Sequence, residues 1–223
     1  MSTRRGRPPA TSAPEVLAAA RRVIDVEGWE RLTVRRLAAE LGIGAATIYR
    51  HVRDREDLLV QLISDSAARL PRPELPAEPR DAVVAATLAL RDALRVLPWA
   101  AEVLTVDGFV GRLSDDALWP VEAVLDGARR CGCSTEQAVA LFRNLWYLTV
   151  GEILVRARSN GSGREAVDRA RLLDEGATPF SGRDPGKVPV LAEVGPRWPL
   201  LTERDTFPDA VGALVDGTLA ALR

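Results

Sequence analysis

Apolar residues recur at the spacing of an α-helix along nearly the whole chain, and no stretch shows the strict alternation of a half-buried β-strand. Near the start, for example, Val16, Ala20, Val23 and Ile24 fall on one face of a helix that ends near Gly28. Apolar residues make up 47% of the chain, which is enough for a sizeable core. The sequence therefore predicts an all-α protein.

Four prolines within PRPELPAEP, residues 71–79, interrupt this pattern. A proline inside a helix removes a backbone donor and clashes with the preceding turn, so the stretch cannot continue a helix. We therefore predict two parts: a three-helix N-terminal domain over residues 14–66 and a larger helical domain over residues 80–223. Residues 1–13 are predicted to form a flexible basic arm.

Helical spacing and capping residues also predict the elements of the second part. Ser134 and Gln137 have the spacing of a capping box and begin the longest helix. The predicted helices cover residues 80–97, 98–107, 114–131, 134–159 and 207–222, with a further one near 163–173. Residues 174–206 contain nine glycines or prolines and little periodicity, so this segment is predicted to be either functional or mobile.

The net charge of −1 is unevenly distributed along the chain. Residues 1–60 carry 11 basic and 8 acidic residues, so an anionic partner is possible for this part. The N-terminus shows no hydrophobic signal segment, and the most apolar stretch, residues 145–155, is too short to span a bilayer and contains Glu152. We therefore expect a cytoplasmic protein with no membrane partner.

Few side chains suit catalysis or metal binding. His51 is the only histidine and Lys187 the only lysine, and neither an H-E-x-x-H nor a G-x-S-x-G motif occurs. Cys131 and Cys133 do not make a disulfide framework or a metal site, and are expected to be small residues at a helix end. The sequence therefore predicts no catalytic residues, no metal and no cofactor.

The stretch LTVRRLAAELGIGAATIYRHV, residues 32–52, is predicted to contain two short helices joined by a turn at Gly42 and Gly44. Thr33 is the expected N-cap of the first helix, the second covers about residues 44–51 with Ile48 pointing inward, and Asp54 is the expected N-cap of the helix that follows. This is the helix-turn-helix arrangement, whose second helix enters the major groove of DNA. Small residues at the start of that helix permit close approach to base edges, and Thr47 offers a hydroxyl and a methyl group. Tyr49 and His51 lie on its flank, where they can reach phosphate oxygens.

Residues 14–63, with the signature LTVRRLAAELGIGAATIYRHVRDREDLL, resemble the DNA-binding region of the tetracycline-repressor (TetR) family of bacterial transcription regulators. The resemblance implies two groups of DNA-contacting residues around the turn at Gly44. Base-reading residues would be Arg35, Ala45, Ala46 and Thr47, and phosphate-binding residues would be Thr33, Tyr49, His51 and Arg55.

The sequence leaves the roles of four further arginines open. Arg50 follows Thr47 by three and shares its helical face, so it is either a DNA contact or a solvated arginine. Arg4, Arg5 and Arg7 resemble the Arg-Gly-Arg-Pro core of minor-groove-binding hooks. They could equally belong to a disordered tail that adds nonspecific affinity.

The same resemblance implies that the second part binds a ligand and forms a homodimer through a four-helix bundle, two helices coming from each subunit. The ligand pocket is predicted to include Trp99, Phe109, Trp119, Phe142, Arg143, Trp146 and Tyr147. The dimer interface is predicted to include Thr149, Ile153, Val211, Leu214, Val215 and Thr218. For the pocket residues, the alternative is ordinary core packing together with the dimer interface. Tetracycline repressors hold a magnesium-bound drug with a histidine in this domain, and this chain has no histidine there.

Together these features predict a repressor that binds a palindromic operator in double-stranded DNA as a homodimer and is released by a small, largely apolar effector. The alternatives are a DNA-binding or architectural protein without a ligand, and an all-helical enzyme.

Overall fold

The computed structural model describes residues 11–106, 108–159, 178, 180 and 182–222. Its regular elements are all helices in these segments, which confirms the all-α prediction. The helices are α1 Ala13–Glu27, α2 Val34–Leu41, α3 Ala45–Ile48, α4 Arg55–Ala67, α5 Pro79–Val96, α6 Pro98–Leu104, α7 Asp115–Arg130, α8 Thr135–Ser159, α9 Pro189–Val194, α10 Trp198–Glu203 and α11 Phe207–Ala220. Short 3-10 turns cover Trp29–Arg31, Val110–Arg112 and Gly195–Arg197.

The chain divides into two compact units. The N-terminal unit contains the chain up to Arg72 together with Trp99–Trp119, and the C-terminal unit contains Pro73–Pro98 and the chain from Pro120 onward. Residues 99–119, which the sequence analysis placed in the second domain, thus pack with the first. The helix expected near 163–173 lies outside the described residues.

Local signals decide where the helices of the N-terminal unit begin and end. Ser12 and Glu15 form a capping box at the start of α1. The Thr33 hydroxyl accepts a hydrogen bond from the backbone N–H of Arg36 at 3.0 Å and caps α2. The Asp54 carboxylate does the same for α4, accepting from the N–H of Asp57 at 2.7 Å. The predicted capping roles of Thr33 and Asp54 are therefore confirmed.

The inward faces of α1, α2, α3 and α4 form the core of this unit. The largest fully buried side chains of these helices include Leu37, Ile48, Leu58, Leu59 and Leu62, and Leu32, just before α2, is buried with them. Such close packing fixes the orientation of α2 and α3, which are too short to be stable in isolation.

The core of the C-terminal unit lies among α5, α7, α8 and α11. Its buried members include Val83, Val124, Leu141, Leu145, Val211 and Val215. Helices α5 and α7 approach closely at Gly127, where an added Cβ would lie 2.7 Å from Cγ2 of Val83. Any larger residue at this crossing would force Val83 to move.

By length and composition alone, the stretch Thr135–Ala157 of α8 could cross a membrane, since its mean hydropathy reaches 1.3. The core helix of a globular protein has the same composition, and Leu141 and Leu145 of α8 pack against α5 and α11. We therefore interpret α8 as a core helix.

The described part of the glycine- and proline-rich segment contains two short helices, α9 and α10. Pro189 and Pro199 occupy their first turns, where the missing backbone donor is not needed. Trp198 packs edge-on against Phe180, with 4.8 Å between the ring centroids. Short helices of six residues show almost no periodicity, which explains why the sequence pattern did not reveal them.

Candidate DNA-binding surface

The turn between α2 and α3 is held by its own backbone. Gly42 adopts a left-handed conformation with φ of 64°, which glycine reaches without steric cost. The N–H of Ile43 then donates to the carbonyl of Ala38 at 3.1 Å, closing the end of α2 as in a Schellman motif. Gly44 begins α3, and the N–H of Thr47 donates to its carbonyl at 2.9 Å. The two helices therefore meet in the predicted helix-turn-helix geometry.

Helix α3 is shorter than predicted: its regular part covers four residues, whereas the sequence suggested residues 44–51. The chain continues as tighter turns, in which the N–H of Arg50 donates to the carbonyl of Thr47 and that of His51 to Ile48. The fully buried Ile48 anchors this segment to the core. The face opposite Ile48 remains available to a ligand.

The predicted base-reading residues lie on this open surface. Arg35, Gly44 and Ala46 are exposed, whereas Ala45 and Thr47 are half-buried. No heavy atom of the described segments lies within 4 Å of the position where a Cβ would be on Gly44. The start of α3 therefore has little side-chain bulk, so a duplex can approach it closely, as a major-groove contact requires.

Tyr49 and Thr33 remain suitable for phosphate binding. The side chain of Tyr49 is 56% exposed. The Thr33 hydroxyl accepts the capping hydrogen bond, which leaves its O–H free to donate to a phosphate oxygen.

Neighbouring arginines on this surface form ion pairs, but within the described residues Arg35 and Arg50 do not. Arg36 is held by Glu27 and Glu40, and Arg53 pairs with Asp57 at 3.1 Å. Arg35 and Arg50 are both exposed, and within the described residues neither has a carboxylate close enough for an ion pair. Their charge is thus available to an anionic partner.

The structure contradicts the phosphate-binding roles that the resemblance implied for His51 and Arg55. The Nε2 atom of His51 is buried and has no hydrogen-bond partner among the described residues, so it cannot reach a phosphate in this conformation. Arg55 donates from Nε to the carbonyl of Leu32 at 2.7 Å and from Nη2 to that of Trp29 at 2.8 Å. Its guanidinium also stacks 5.0 Å from the centroid of the Trp29 ring. These contacts give Arg55 a structural role, and we remove both residues from the candidate DNA contacts.

The remaining predicted sites are distributed over both units. Arg4, Arg5 and Arg7 lie outside the described residues. Trp99, Phe109 and Trp119 belong to the N-terminal unit, whereas Phe142, Arg143, Trp146 and Tyr147 lie on α8 in the C-terminal unit. Three of the seven predicted pocket residues thus belong to one unit and four to the other, and the pocket stays a prediction. Arg143 and Tyr147 are exposed, and Nη2 of the arginine donates to the tyrosine hydroxyl at 2.8 Å.

The prediction is wrong for most of the residues assigned to the dimer interface. Thr149, Ile153, Val211 and Val215 are at most 2% exposed, so they pack inside their own subunit and cannot contact a partner. Leu214 and Thr218 are half-buried, and the threonine hydroxyl donates to the leucine carbonyl at 2.9 Å. Because α8 is apolar on several faces, its sequence did not distinguish the core face from the outer one.

The structure reveals a different outer face on the same two helices, which we call the α8–α11 face. Tyr147, Gly151 and Val155 recur every four residues along α8 and are exposed. Ala213 and Gly217 are exposed on α11. A groove of about 350 Å³ lies beside Tyr147 and Gly151, bordered by Phe207 and Ala210 of α11. The four-residue recurrence on α8 was visible in the sequence and is the signal that could have identified this face.

Three comparisons place this architecture among known proteins. The chain matches the sequence profile of bacterial regulatory proteins of the tetR family over residues 16–62. It is 32% identical over 217 residues to the HTH-type transcriptional repressor DrrR1 of Streptomyces coeruleorubidus, which covers 92% of this chain and 74% of that protein. The crystal structure of ActR from Streptomyces coelicolor in complex with actinorhodin has the same fold, with a TM-score of 0.73 and 23% identity over 96% of this chain and 98% of ActR. BioQ bound to its natural double-stranded DNA operator has a TM-score of 0.57 and 29% identity over 74% of this chain and 97% of BioQ.

An exposed helix-turn-helix joined to a helical second unit defines a DNA-binding regulator of transcription. The chain belongs to the tetR family of bacterial regulatory proteins.

Proposed function

We propose that this protein is a cytoplasmic repressor that binds a palindromic operator as a homodimer and is released by a small, largely apolar effector. The observation that carries the proposal is the open surface of α2 and α3, where Arg35 and Arg50 are exposed and form no ion pair with any residue in the described part of the chain. Transcriptional repression by the relative DrrR1 and the operator complex of BioQ support the same role for this surface.

On this surface the residues divide by the information they carry. Arg35, Gly44, Ala45, Ala46 and Thr47 would approach base edges, where an arginine can bind a guanine with two hydrogen bonds. Thr33, Tyr49 and Arg50 would bind phosphates, which set the register but do not read sequence.

Dimerisation is proposed through the α8–α11 face. Among the residues that the structure describes, no heavy atom lies within 4 Å of a Cβ built on Gly151 or Gly217, so both glycines face open space there. Exposed glycines and alanines on two adjacent helices allow a partner's helices to approach closely, and Tyr147 and Val155 supply apolar area beside them. A two-fold dimer presents two recognition helices to two half-sites.

Release by a ligand is supported by the complex of ActR with actinorhodin. A ligand shifts a two-state protein only through its different affinities for the two states. Coupling of this kind is commonly ~1–3 kcal/mol, so a saturating effector should weaken operator binding by roughly 5- to 150-fold.

The DNA arm of the test begins with selection. The purified protein is mixed with genomic fragments, and the retained DNA is sequenced to identify the operator. A palindromic duplex should then bind far more tightly than either half-site alone. Equal affinity for an isolated half-site would refute the two-fold arrangement.

The dimer arm uses one substitution on the α8–α11 face. Gly151→Arg places a charged side chain in open space on a single subunit, so the subunit should fold, but the partner's helices should be excluded. Light scattering should report a monomer, and operator affinity should fall. Glu122→Arg, at an exposed position of α7, is the matched control and should remain dimeric. A dimeric Gly151→Arg protein would place the interface elsewhere.

The effector arm follows tryptophan fluorescence and operator affinity together while aromatic compounds are added. By reciprocity, operator DNA must weaken binding of a true effector by the same factor. A compound that quenches tryptophan without changing operator affinity is not the effector. If no bound compound changes operator affinity, the protein is a DNA-binding regulator without a ligand.

A further inference from the structure

Trp29 joins two parts of the N-terminal unit that are far apart in sequence. It lies in the 3-10 turn between α1 and α2, directly after Gly28, whose φ of 89° reverses the chain. Its indole Nε1 donates to Oε2 of Glu102 on α6 at 3.0 Å. The contact is partly buried, so the indole N–H depends on this acceptor rather than on open solvent.

The other side of Trp29 is held by Arg55, the first residue of α4. The guanidinium lies over the indole ring and donates to the carbonyls of Trp29 and Leu32. Leu32 immediately precedes Thr33, the N-cap of α2. A continuous set of contacts therefore runs from α6 through the indole ring to the first turns of α2 and α4.

Helix α2 carries Arg35 and packs against α3, so its starting position determines where the recognition surface lies. We propose that Glu102 and Trp29 are positioning residues for operator binding: their hydrogen bond holds the joint between α1 and α2 in the arrangement that presents α2 and α3 correctly to DNA. Neither residue needs to touch DNA. The inference rests on the proposed function, since it concerns the same DNA-binding surface.

The segment that carries Glu102 has independent attachments to the same unit. Arg112 contacts Glu56 in the first turn of α4 at 3.0 Å, and the N–H of Ser114 donates to the Ser64 hydroxyl at 3.1 Å. Losing the Trp29–Glu102 hydrogen bond should therefore not detach this segment. The effect should stay local to the joint between α1 and α2.

A hydrogen bond that exists equally in free and DNA-bound protein does not change affinity by itself. Its loss matters because the protein then populates both the aligned arrangement of this joint and arrangements in which the joint is no longer held. The apparent dissociation constant rises as the aligned fraction falls. One partly buried hydrogen bond corresponds to a change of roughly 3- to 10-fold in such an equilibrium.

Two substitutions remove the same hydrogen bond from opposite sides. Trp29→Phe removes the N–H but keeps an aromatic ring beneath Arg55, and Glu102→Met removes the acceptor but keeps the length of the side chain. Each should weaken operator binding by up to roughly 10-fold, and the double variant should be no weaker than the worse single variant. Glu102→Gln retains an acceptor oxygen and should restore affinity to near that of the parent protein. Trp198→Phe and Glu122→Met are the matched controls and should bind as the parent does.

Hydrogen exchange provides a readout that does not depend on DNA. The amide of Leu37, which donates to the carbonyl of Thr33 at 2.9 Å, should exchange faster in Trp29→Phe and Glu102→Met, while α5 and α8 keep their protection. If Trp29→Phe fails to fold, Glu102→Met carries the test, because it leaves the indole in place.

The outcomes separate this inference from the proposed function. If the parent protein binds an operator but both single variants bind it equally well, or their effects are additive, the positioning role is wrong. If affinity falls equally for Glu102→Gln and Glu102→Met, the hydrogen bond is not the cause, and the inference is again overturned. If the parent protein binds no palindrome, the proposed function fails, and unchanged exchange at Leu37 in the variants would overturn the positioning role separately.

Discussion

Arg55 distinguishes the role implied by resemblance from the role that the structure assigns. Resemblance placed it on a DNA phosphate, whereas its guanidinium donates to the carbonyls of Leu32 and Trp29 and stacks on the Trp29 ring. We expect Arg55→Ala to destabilise the protein and to leave the salt dependence of DNA binding almost unchanged.

The magnitude follows from the contacts that are lost. The carbonyl of Trp29 still accepts from the N–H of Leu32 at 3.1 Å, so it retains a partner. Leu32 is fully buried, and its carbonyl would lose the hydrogen bond from Arg55. A buried acceptor left without a partner costs about 1–3 kcal/mol, and a partly exposed cation–π contact adds about 0.5–1 kcal/mol. The free energy of unfolding should therefore fall by about 1.5–4 kcal/mol.

Chemical denaturation and binding titrations at several salt concentrations measure the two quantities. Arg55→Lys is the informative companion, because lysine keeps the charge but cannot form the same two-pronged contact. We expect it to remain destabilised. A phosphate contact would instead leave stability unchanged in Arg55→Ala, lower the slope of log affinity against log salt by about 1 per subunit, and let lysine restore binding. That combination would refute the structural role.

Three further predictions follow from other parts of the structure. Gly127→Ala should destabilise the protein by about 1–3 kcal/mol in denaturation, because the new Cβ would crowd Val83, and the loss should shrink in a Val83→Ala background. Burial alone would raise the pKa of Asp57, but hydrogen bonds from the backbone and guanidinium of Arg53 outweigh it and hold the pKa below the ordinary 3.8. Its contribution to stability should thus be complete above about pH 4 and disappear as the pH falls through the lowered pKa, and denaturation of Asp57→Asn across this range should lack that part of the decline. Arg50→Ala should weaken binding to operator and random DNA alike and reduce the salt slope by about 1 per subunit, and a loss confined to the operator would make Arg50 a base-reading residue.

Several residues around the helix-turn-helix could be assigned from the sequence alone. Thr33, Gly42 and Asp54 were identified from sequence, because caps and left-handed turns depend on side chains within three residues of the helix end. The helix-turn-helix is local in the same sense, so its place in the chain and the inward position of Ile48 were also predictable. The tetR family could be recognised because its signature is concentrated in this local region.

Long-range packing decided the roles of the other residues. Arg55 resembles a phosphate-binding residue in sequence, yet its contacts with Leu32 and Trp29 come from a segment more than twenty residues away. The role of Glu102 could not be predicted from the sequence, because its hydrogen-bond partner Trp29 lies 73 residues away.

The sequence by itself determined the all-helical class, the helix boundaries set by caps and prolines, and the helix-turn-helix, because each depends on neighbours within one or two turns. Only the tertiary structure decided which face of α8 and α11 is buried. Thr149 and Val211 turned inward while Tyr147 and Gly151 stayed exposed, since a helix that is apolar on several faces has no preferred side until its neighbours pack against it.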